Sequence, residues 1–331
     1  MARSPLWGPV YPDGCYCPVK SVSDWMKEFG CKSSYQQISS DLKEFPSVNF
    51  TELRKYALEK FDHPGSMSVC NYVIKKNQVY RKCYGQYVGF KMFLDAILLS
   101  LARKVFLPDM EILFNLGDWP LSSIEQKLRI PLFSWCGSDD TLDIVMPTYD
   151  ITEATLECMG RDEEKFYGPK EKHISFFKFF DFKYQINIDG TVAAYRFPYL
   201  LAGDSLVFKQ DSKYYEFFYK ELQPWKHYVP FKSDLSDLVE RIQWAKNNDA
   251  EAQTISKNGQ KFAQENLMPQ DIFCYHAVLF KEWSERLTEE VEVQDGMEHV
   301  PQPEPDKPYK ECECHRLADE KDGSSNTRDE L

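Results

Sequence analysis

This sequence predicts an α/β protein built from two units, and three observations lead there. Its 331 residues are enough for roughly two domains. Between residues 68 and 115, two alternating strands, a helix and a third strand follow in order, which predicts an α/β domain with a parallel sheet. A second unit starts near Gly160, with strands at 184–188 and 205–209 and clear helices beyond 235.

Residues 1–35 are rich in Pro, Gly and Cys and read as an irregular entry pinned by disulfides. Helical periodicity starts over 35–45 and resumes over 50–61, where Asn49 is placed to cap the first turn. Residues 68–74 and 78–84 alternate like two strands around a Lys75-Lys76-Asn77 turn. Apolar residues at three- and four-residue steps make 90–104 an amphipathic helix. A short apolar strand follows at 110–115, closed by the turn Gly117-Asp118-Trp119-Pro120. In the second unit, Asp189-Gly190 turns the chain after the strand at 184–188. Small residues at 191–194 resume it, 214–222 reads as a short aromatic helix, and three helices cover 235–247, 250–266 and 272–286. From about Thr288 the chain is acidic and proline-bearing, the composition of a tail rather than a core.

The net charge of −12 argues against a nucleic-acid partner, which calls for a basic patch. No apolar run approaches the ~18 residues of a membrane span. The chain ends in Arg328-Asp329-Glu330-Leu331, a close variant of the Lys-Asp-Glu-Leu address that a retrieval receptor reads in the endoplasmic reticulum. No long apolar stretch follows Met1, so no secretory leader is expected, and the chain reads as an isoform or fragment lacking its start. The ten cysteines fit an oxidising lumen. The pairs Cys15/Cys17 and Cys312/Cys314 have one-residue spacers, unlike a zinc site, so disulfides are expected and no metal. Asn49-Phe50-Thr51 is a glycosylation sequon.

Three places could carry chemistry. Asp118 follows a buried strand, and ligands bind at the carboxyl ends of strands in α/β sheets. It is either a general base with a pKa raised by burial or a residue hydrogen-bonding its own turn. Residues 190–196 combine small side chains, which let backbone N–H groups approach a phosphate, with Arg196, which can bind one bidentately. The alternative there is a packed strand with one surface arginine. His227, in the aromatic stretch 224–230, is either a catalytic group or part of a core loop.

Four motifs occur in order: Asn115-Leu-Gly-Asp118-Trp-Pro120, the run from Asn187 to Arg196, Gly203-Asp-Ser-Leu-Val-Phe208, and the run from Glu216 to Pro230. In these the chain resembles the protein O-glucosyltransferases of glycosyltransferase family 90, with the capsule-associated-protein-like catalytic domain. The resemblance implies two Rossmann-like lobes of GT-B type. It implies inverting, metal-free and cofactor-free transfer of glucose from UDP-glucose, with UDP-xylose as another donor to consider. The acceptor would be a serine hydroxyl on an EGF-like repeat, as in Notch-like receptors and matrix proteins. Asp118 matches the catalytic carboxylate. Thr191, Val192, Ala193, Ala194, Tyr195 and Arg196 match the donor-binding stretch, and Trp119, Pro147, Thr148 and Tyr149 fall where the acceptor is contacted.

The expected organisation is an acceptor-side lobe over 1–158, a donor lobe over 159–288 and an acidic tail over 289–331. Two departures from the resemblance stand out. A signal peptide and a filamin-like domain are expected before the catalytic domain. Several dozen residues bearing a Trp/Phe-Arg-Gly phosphate contact are also expected in the donor lobe, where only 162–166 stand. The second lobe therefore reads as shortened, and an inactive splice form that binds EGF-repeat proteins without donor is the alternative function.

Overall fold

The computed structural model describes residues 20–86, 90–152, 179 and 181–302. The cysteine pairs 15/17 and 312/314, the carboxyl-terminal tetrapeptide and the shortened region between 161 and 167 lie outside the described residues.

The first unit begins with a helix, α1 (Val22–Phe29). Ser21 caps it by accepting from the Asp24 amide, and Gly30 ends it at a φ of 67°. Helices α2 (Gln36–Leu42) and α3 (Phe50–Phe61) follow. Asn49 Oδ1 accepts from the Glu52 amide at 3.2 Å, the expected cap of α3. Strands β1 (Val69–Lys75) and β2 (Gln78–Tyr84) form a hairpin whose turn residues Lys76 and Asn77 both have positive φ. Cys70 and Cys83 face each other across it and are disulfide-bonded. Helix α4 (Lys91–Lys104) then leads to β3 (Met110–Asn115), buried throughout, and to the short strands β4 (Leu132–Ser134), β5 (Gly137–Ser138) and β6 (Ile144–Val145).

The first sheet is mixed rather than parallel. A two-residue hairpin can only join antiparallel strands, so β1 runs against β2. It also runs against β3, and only β3, β4 and β6 are mutually parallel.

The second unit is a parallel sheet whose strands are β7 (Tyr184–Asn187), β8 (Leu206–Gln210) and β10 (Val229–Phe231), with β8 in the middle. Helix α5 (Phe197–Ala202) connects β7 to β8. The predicted aromatic helix at 214–222 is instead strand β9 (Tyr214–Tyr215) and a single 3₁₀ turn, Tyr219–Glu221. β9 pairs antiparallel with β5 of the first unit, so backbone hydrogen bonds join the two units there. That tertiary pairing overrides local periodicity. Helices α6 (Leu238–Asn247) and α7 (Asp249–Asn266) cover the second sheet, burying Leu206, Phe208, Val229 and Phe231 against Ala245, Ala252 and Ile255.

Helix α8 (Pro269–Ser284) returns to the first unit. Its Trp283 Nε1 donates to Glu111 O at 2.8 Å, its Tyr275 hydroxyl to Val145 O at 2.9 Å, and Cys274 is disulfide-bonded to Cys31. The stretch after 288 is likewise no free tail where it is described. β11 (Glu298–Val300) adds to the edge of the first sheet beside β2. The acidic composition that suggests a solvated tail serves as a set of ion partners: Glu290 pairs with Lys75 at 3.1 Å and Glu298 with Arg81 at 2.8 Å.

Gly259 of α7 lies close against the 224–230 loop, since a Cβ there would stand 2.5 Å from the His227 carbonyl oxygen. Alanine is normally worth about 1 kcal/mol over glycine inside a helix. Gly259→Ala is nevertheless expected to destabilise by about 1–3 kcal/mol, because backbone must move to admit the methyl. Urea unfolding of the variant beside the wild type checks this.

Candidate functional site

Asp118 stands where the carboxyl end of β3 meets the junction of the two units. It is exposed, yet partial burial of its carboxyl pushes its pKa above the ordinary carboxylate value. Its neighbour Trp119 is 49% exposed. The turn that carries them is held from beneath. Asn115 Oδ1 accepts from the Gly117 amide at 2.9 Å, and Asn115 Nδ2 donates to Trp119 O at 2.6 Å. The Asp118 carbonyl accepts from the Cys136 thiol at 3.2 Å.

Cys136 links this turn to the second unit. It is buried, and its packing partners are Val192 and Ala193, with Tyr195 and Tyr214 alongside. The sequence-predicted donor stretch therefore lies next to the sequence-predicted base, although the two are separated by more than seventy positions. The stretch is neither a regular strand nor an open glycine loop. It bends after β7 and enters α5, with Val192, Ala193 and Ala194 buried, Thr191 exposed and Tyr195 and Arg196 half-buried. Arg196 Nη2 donates to Ile188 O at 2.6 Å, which pins the guanidinium, and among the described residues no other hydrogen bond of this side chain is seen.

Of the four expected acceptor contacts, Pro147 and Thr148 are buried. Trp119 is exposed, and Tyr149 is half-buried, stacking on Phe93 at 4.4 Å and meeting Tyr195 edge-on at 6.2 Å. Tyr149 thus reaches the 191–196 stretch through Tyr195, whereas Pro147 and Thr148 are enclosed. Asn49 lies away from this junction, exposed, with Nδ2 donating to Glu289 at 2.8 Å. His227 is the core-loop reading of the two: it is buried against Phe262, and its Nδ1 accepts from the Gln223 amide at 3.0 Å. Among the described residues, no group of three His, Cys, Asp or Glu side chains is arranged to hold a metal.

Sequence reasoning did not single out the polar groups buried at the junction. Glu216 is fully buried, and one oxygen accepts from the Tyr219 hydroxyl at 3.2 Å. Burial raises its pKa well above the usual range, with the negative charge of Asp150 adding to the effect. Lys209 sits 4.5 Å from the centre of the Tyr219 ring and close to Phe197 and Tyr228, and burial lowers its pKa. Beside them an open cleft of about 650 Å³ is walled by Lys209, Tyr214, Tyr219 and Tyr228 from the second unit and Ser138 and Thr141 from the first. Asp118 is not in its wall. Only the Glu216-Phe-Phe-Tyr motif hinted at this cluster.

Residues 26–166 and 152–305 match the profile of Glycosyl transferase family 90. The chain belongs to this family. It is 46% identical to protein O-glucosyltransferase 2 of Danio rerio over 378 residues, covering 96% of this chain and 75% of that protein. Against protein O-glucosyltransferase 3 of Homo sapiens the identity is 44% over 382 residues, 96% and 74% of the two chains. Human protein O-glucosyltransferase 1 is more distant, at 25% over 298 residues, 70% of this chain and 76% of that one. The first two alignments are longer than the 331 residues of the chain itself, so those relatives carry interior residues that have no counterpart here.

The ionisation of Glu216 gives a pH test of the junction. Its pKa is raised on folding, so the fold binds its proton more tightly than the unfolded chain does. Stability is full below the ordinary value of 4.5 and is lost as pH rises through the raised value. Glu216→Gln has no such ionisation. Its stability relative to the wild type is expected to improve steadily with pH, and chemical denaturation across a pH series would show a constant difference if the carboxyl ionised freely.

Proposed function

We propose that this chain is a protein O-glucosyltransferase that moves glucose from UDP-glucose to serine hydroxyls of EGF-like repeats. The observation that supports this is the meeting of the Asp118 turn and the 191–196 stretch through Cys136, which sets the residue read as the base beside the segment read as donor-binding. Asp118 takes the proton of the serine hydroxyl, and the serine oxygen attacks the anomeric carbon on the face opposite UDP. Configuration is inverted and UDP leaves with the bonding electrons. Its raised pKa makes Asp118 a stronger base than a fully solvated carboxylate. Arg196 and the backbone amides of 191–195 meet the charge on the departing diphosphate, so the step is read as independent of a metal. Trp119 and Tyr149 face the acceptor.

The two units are read as the two lobes of a GT-B enzyme. On this reading Arg328-Asp329-Glu330-Leu331 is the address by which a retrieval receptor keeps the chain in the lumen of the endoplasmic reticulum. Notch-like receptors and matrix proteins are the acceptors this reading names, and Asn49 is a glycan site on the same account.

A second reading is favoured by two observations. The two family matches overlap over 152–166, and the aligned span of the nearer relatives exceeds the chain. A stretch of the donor lobe is then missing, and the chain is an inactive form that binds acceptor repeats alone.

Asp118→Asn is expected to lower transfer by about 10²–10⁴-fold while UDP-glucose affinity stays unchanged. Mass spectrometry of a purified EGF-like repeat, beside calorimetric titration of the donor, reads both. Equal loss of both would remove Asp118 from the role of base. The rate of the wild type is expected to rise with pH through the raised pKa of Asp118, and a rate falling over that limb would contradict the assignment.

A further inference from the structure

Beneath the Asp118 turn lies a second carboxylate that the proposed chemistry does not use. Asp143, just before β6, is 1% exposed, and its carboxylate accepts two backbone bonds from one loop and a third from β4. Its Oδ1 accepts from the Leu121 amide at 3.0 Å and its Oδ2 from the Ser122 amide at 2.8 Å. The Ser134 hydroxyl on β4 donates to the same Oδ1 at 2.5 Å and in turn accepts from Asn115 Nδ2 at 3.2 Å. Asn115 binds the near end of the loop, at Gly117 and Trp119. Both ends of the segment 117–122 are therefore tied to one relay, Asn115–Ser134–Asp143, whose members are all buried and sit on three adjacent parallel strands or their ends. Burying a carboxylate is costly, and burial raises the pKa of this one to about 6 against the hydrogen bonds from Ser134, Leu121, Ser122 and its own amide that lower it. An apolar side chain in its place would leave the Leu121 and Ser122 amides and the Ser134 hydroxyl without their acceptor.

We propose that Asp143 is the positioning residue of the Asp118 turn, locking the loop 117–122 through its two backbone bonds and its link to Asn115 by way of Ser134. The proposal rests on the reading of Asp118 as the base. The geometry fixes where the Asp118 carboxyl stands relative to the 191–196 stretch, and a misplacement of about 1 Å at a reacting group costs on the order of 10²-fold in rate. In Asp143→Asn the amide NH₂ must face one of two N–H groups that now find an oxygen, so one tie to the loop is lost while side-chain volume is kept. Ser134→Ala breaks the relay at its middle and leaves both backbone bonds of Asp143 in place.

Hydrogen exchange of the purified full chain, followed by mass spectrometry on a peptide spanning 117–122, tests the lock without requiring turnover. Asp143→Asn is expected to speed exchange at Leu121 and Ser122 by about tenfold or more, with strands β1 and β7 unchanged. Unchanged exchange in the loop overturns the proposal. Transfer to an EGF-like repeat supplies the second readout: kcat should fall at least about tenfold with the KM for UDP-glucose unchanged. In an Asp118→Asn background the same change should add no further loss. A fall in KM and kcat together, or full additivity of the two losses, overturns the positioning role. If Asp143→Asn does not fold, Ser134→Ala takes its place in each comparison with a smaller effect expected. If the wild type shows no transfer, the proposed function fails, and loop exchange alone still decides whether Asp143 holds the turn.

Discussion

The return of the last long helix to the first sheet is the constraint on which the rest depends. α8 leaves the second unit and buries Tyr275, Phe280 and Trp283 in the core of the first. Each such side chain contributes about 1.5–3 kcal/mol on burial. Its two polar tips each find a strand carbonyl, and Cys274 closes a covalent loop to Cys31 across 243 positions. The second sheet is attached to α8 through α7, so this docking sets where β7, β8 and the stretch after β7 stand relative to β3. The edge strand β11 and its ion pairs to Lys75 and Arg81 then tie the chain down once more on the first sheet.

What that docking creates is a junction unusually rich in buried polar groups. The β5–β9 pair and the Cys136 contacts close it, and Glu216, Lys209, Tyr219 and Tyr195 lie within it. A purely structural interface would be more stable lined with apolar residues, because desolvating a carboxylate or an ammonium costs several kcal/mol. Buried titratable groups with displaced pKa values concentrate at functional sites in general, and this cluster supports the donor site proposed above. The Asp118 turn sits at the rim of this junction, rigid on its inner side and open on its outer side, which suits a base approached by a folded protein acceptor.

Much of the fold was legible locally. Helix α3 and strand β3 fall on the residues that periodicity indicated, because both combine a clear apolar pattern with flanking stop signals. Helix α1 was overlooked, although Ser21, Asp24 and Gly30 are its caps, because the surrounding Pro, Gly and Cys suggested irregular chain. Strands β9 and β11 take their structure from partners far away in sequence, so no local pattern announces them. The site divides in the same way. Asp118 could be read as a carboxylate ending a buried strand, and 191–196 as a small-residue stretch with an arginine. Cys136, Asp143 and Glu216 gain their meaning only from burial by distant segments, and isolated Cys, Asp or Glu residues in a sequence carry no such mark.

Thermal unfolding of the purified chain with and without UDP-glucose tests most directly whether the junction is a donor site. Ligand at about a hundred times its dissociation constant adds roughly 2.7 kcal/mol to stability, a rise of a few degrees in Tm for a chain of this size. The account predicts that rise. An unchanged Tm at saturating UDP-glucose, in a chain that unfolds cooperatively and still binds an EGF-like repeat, would contradict it and leave the acceptor-binding form as the description that stands.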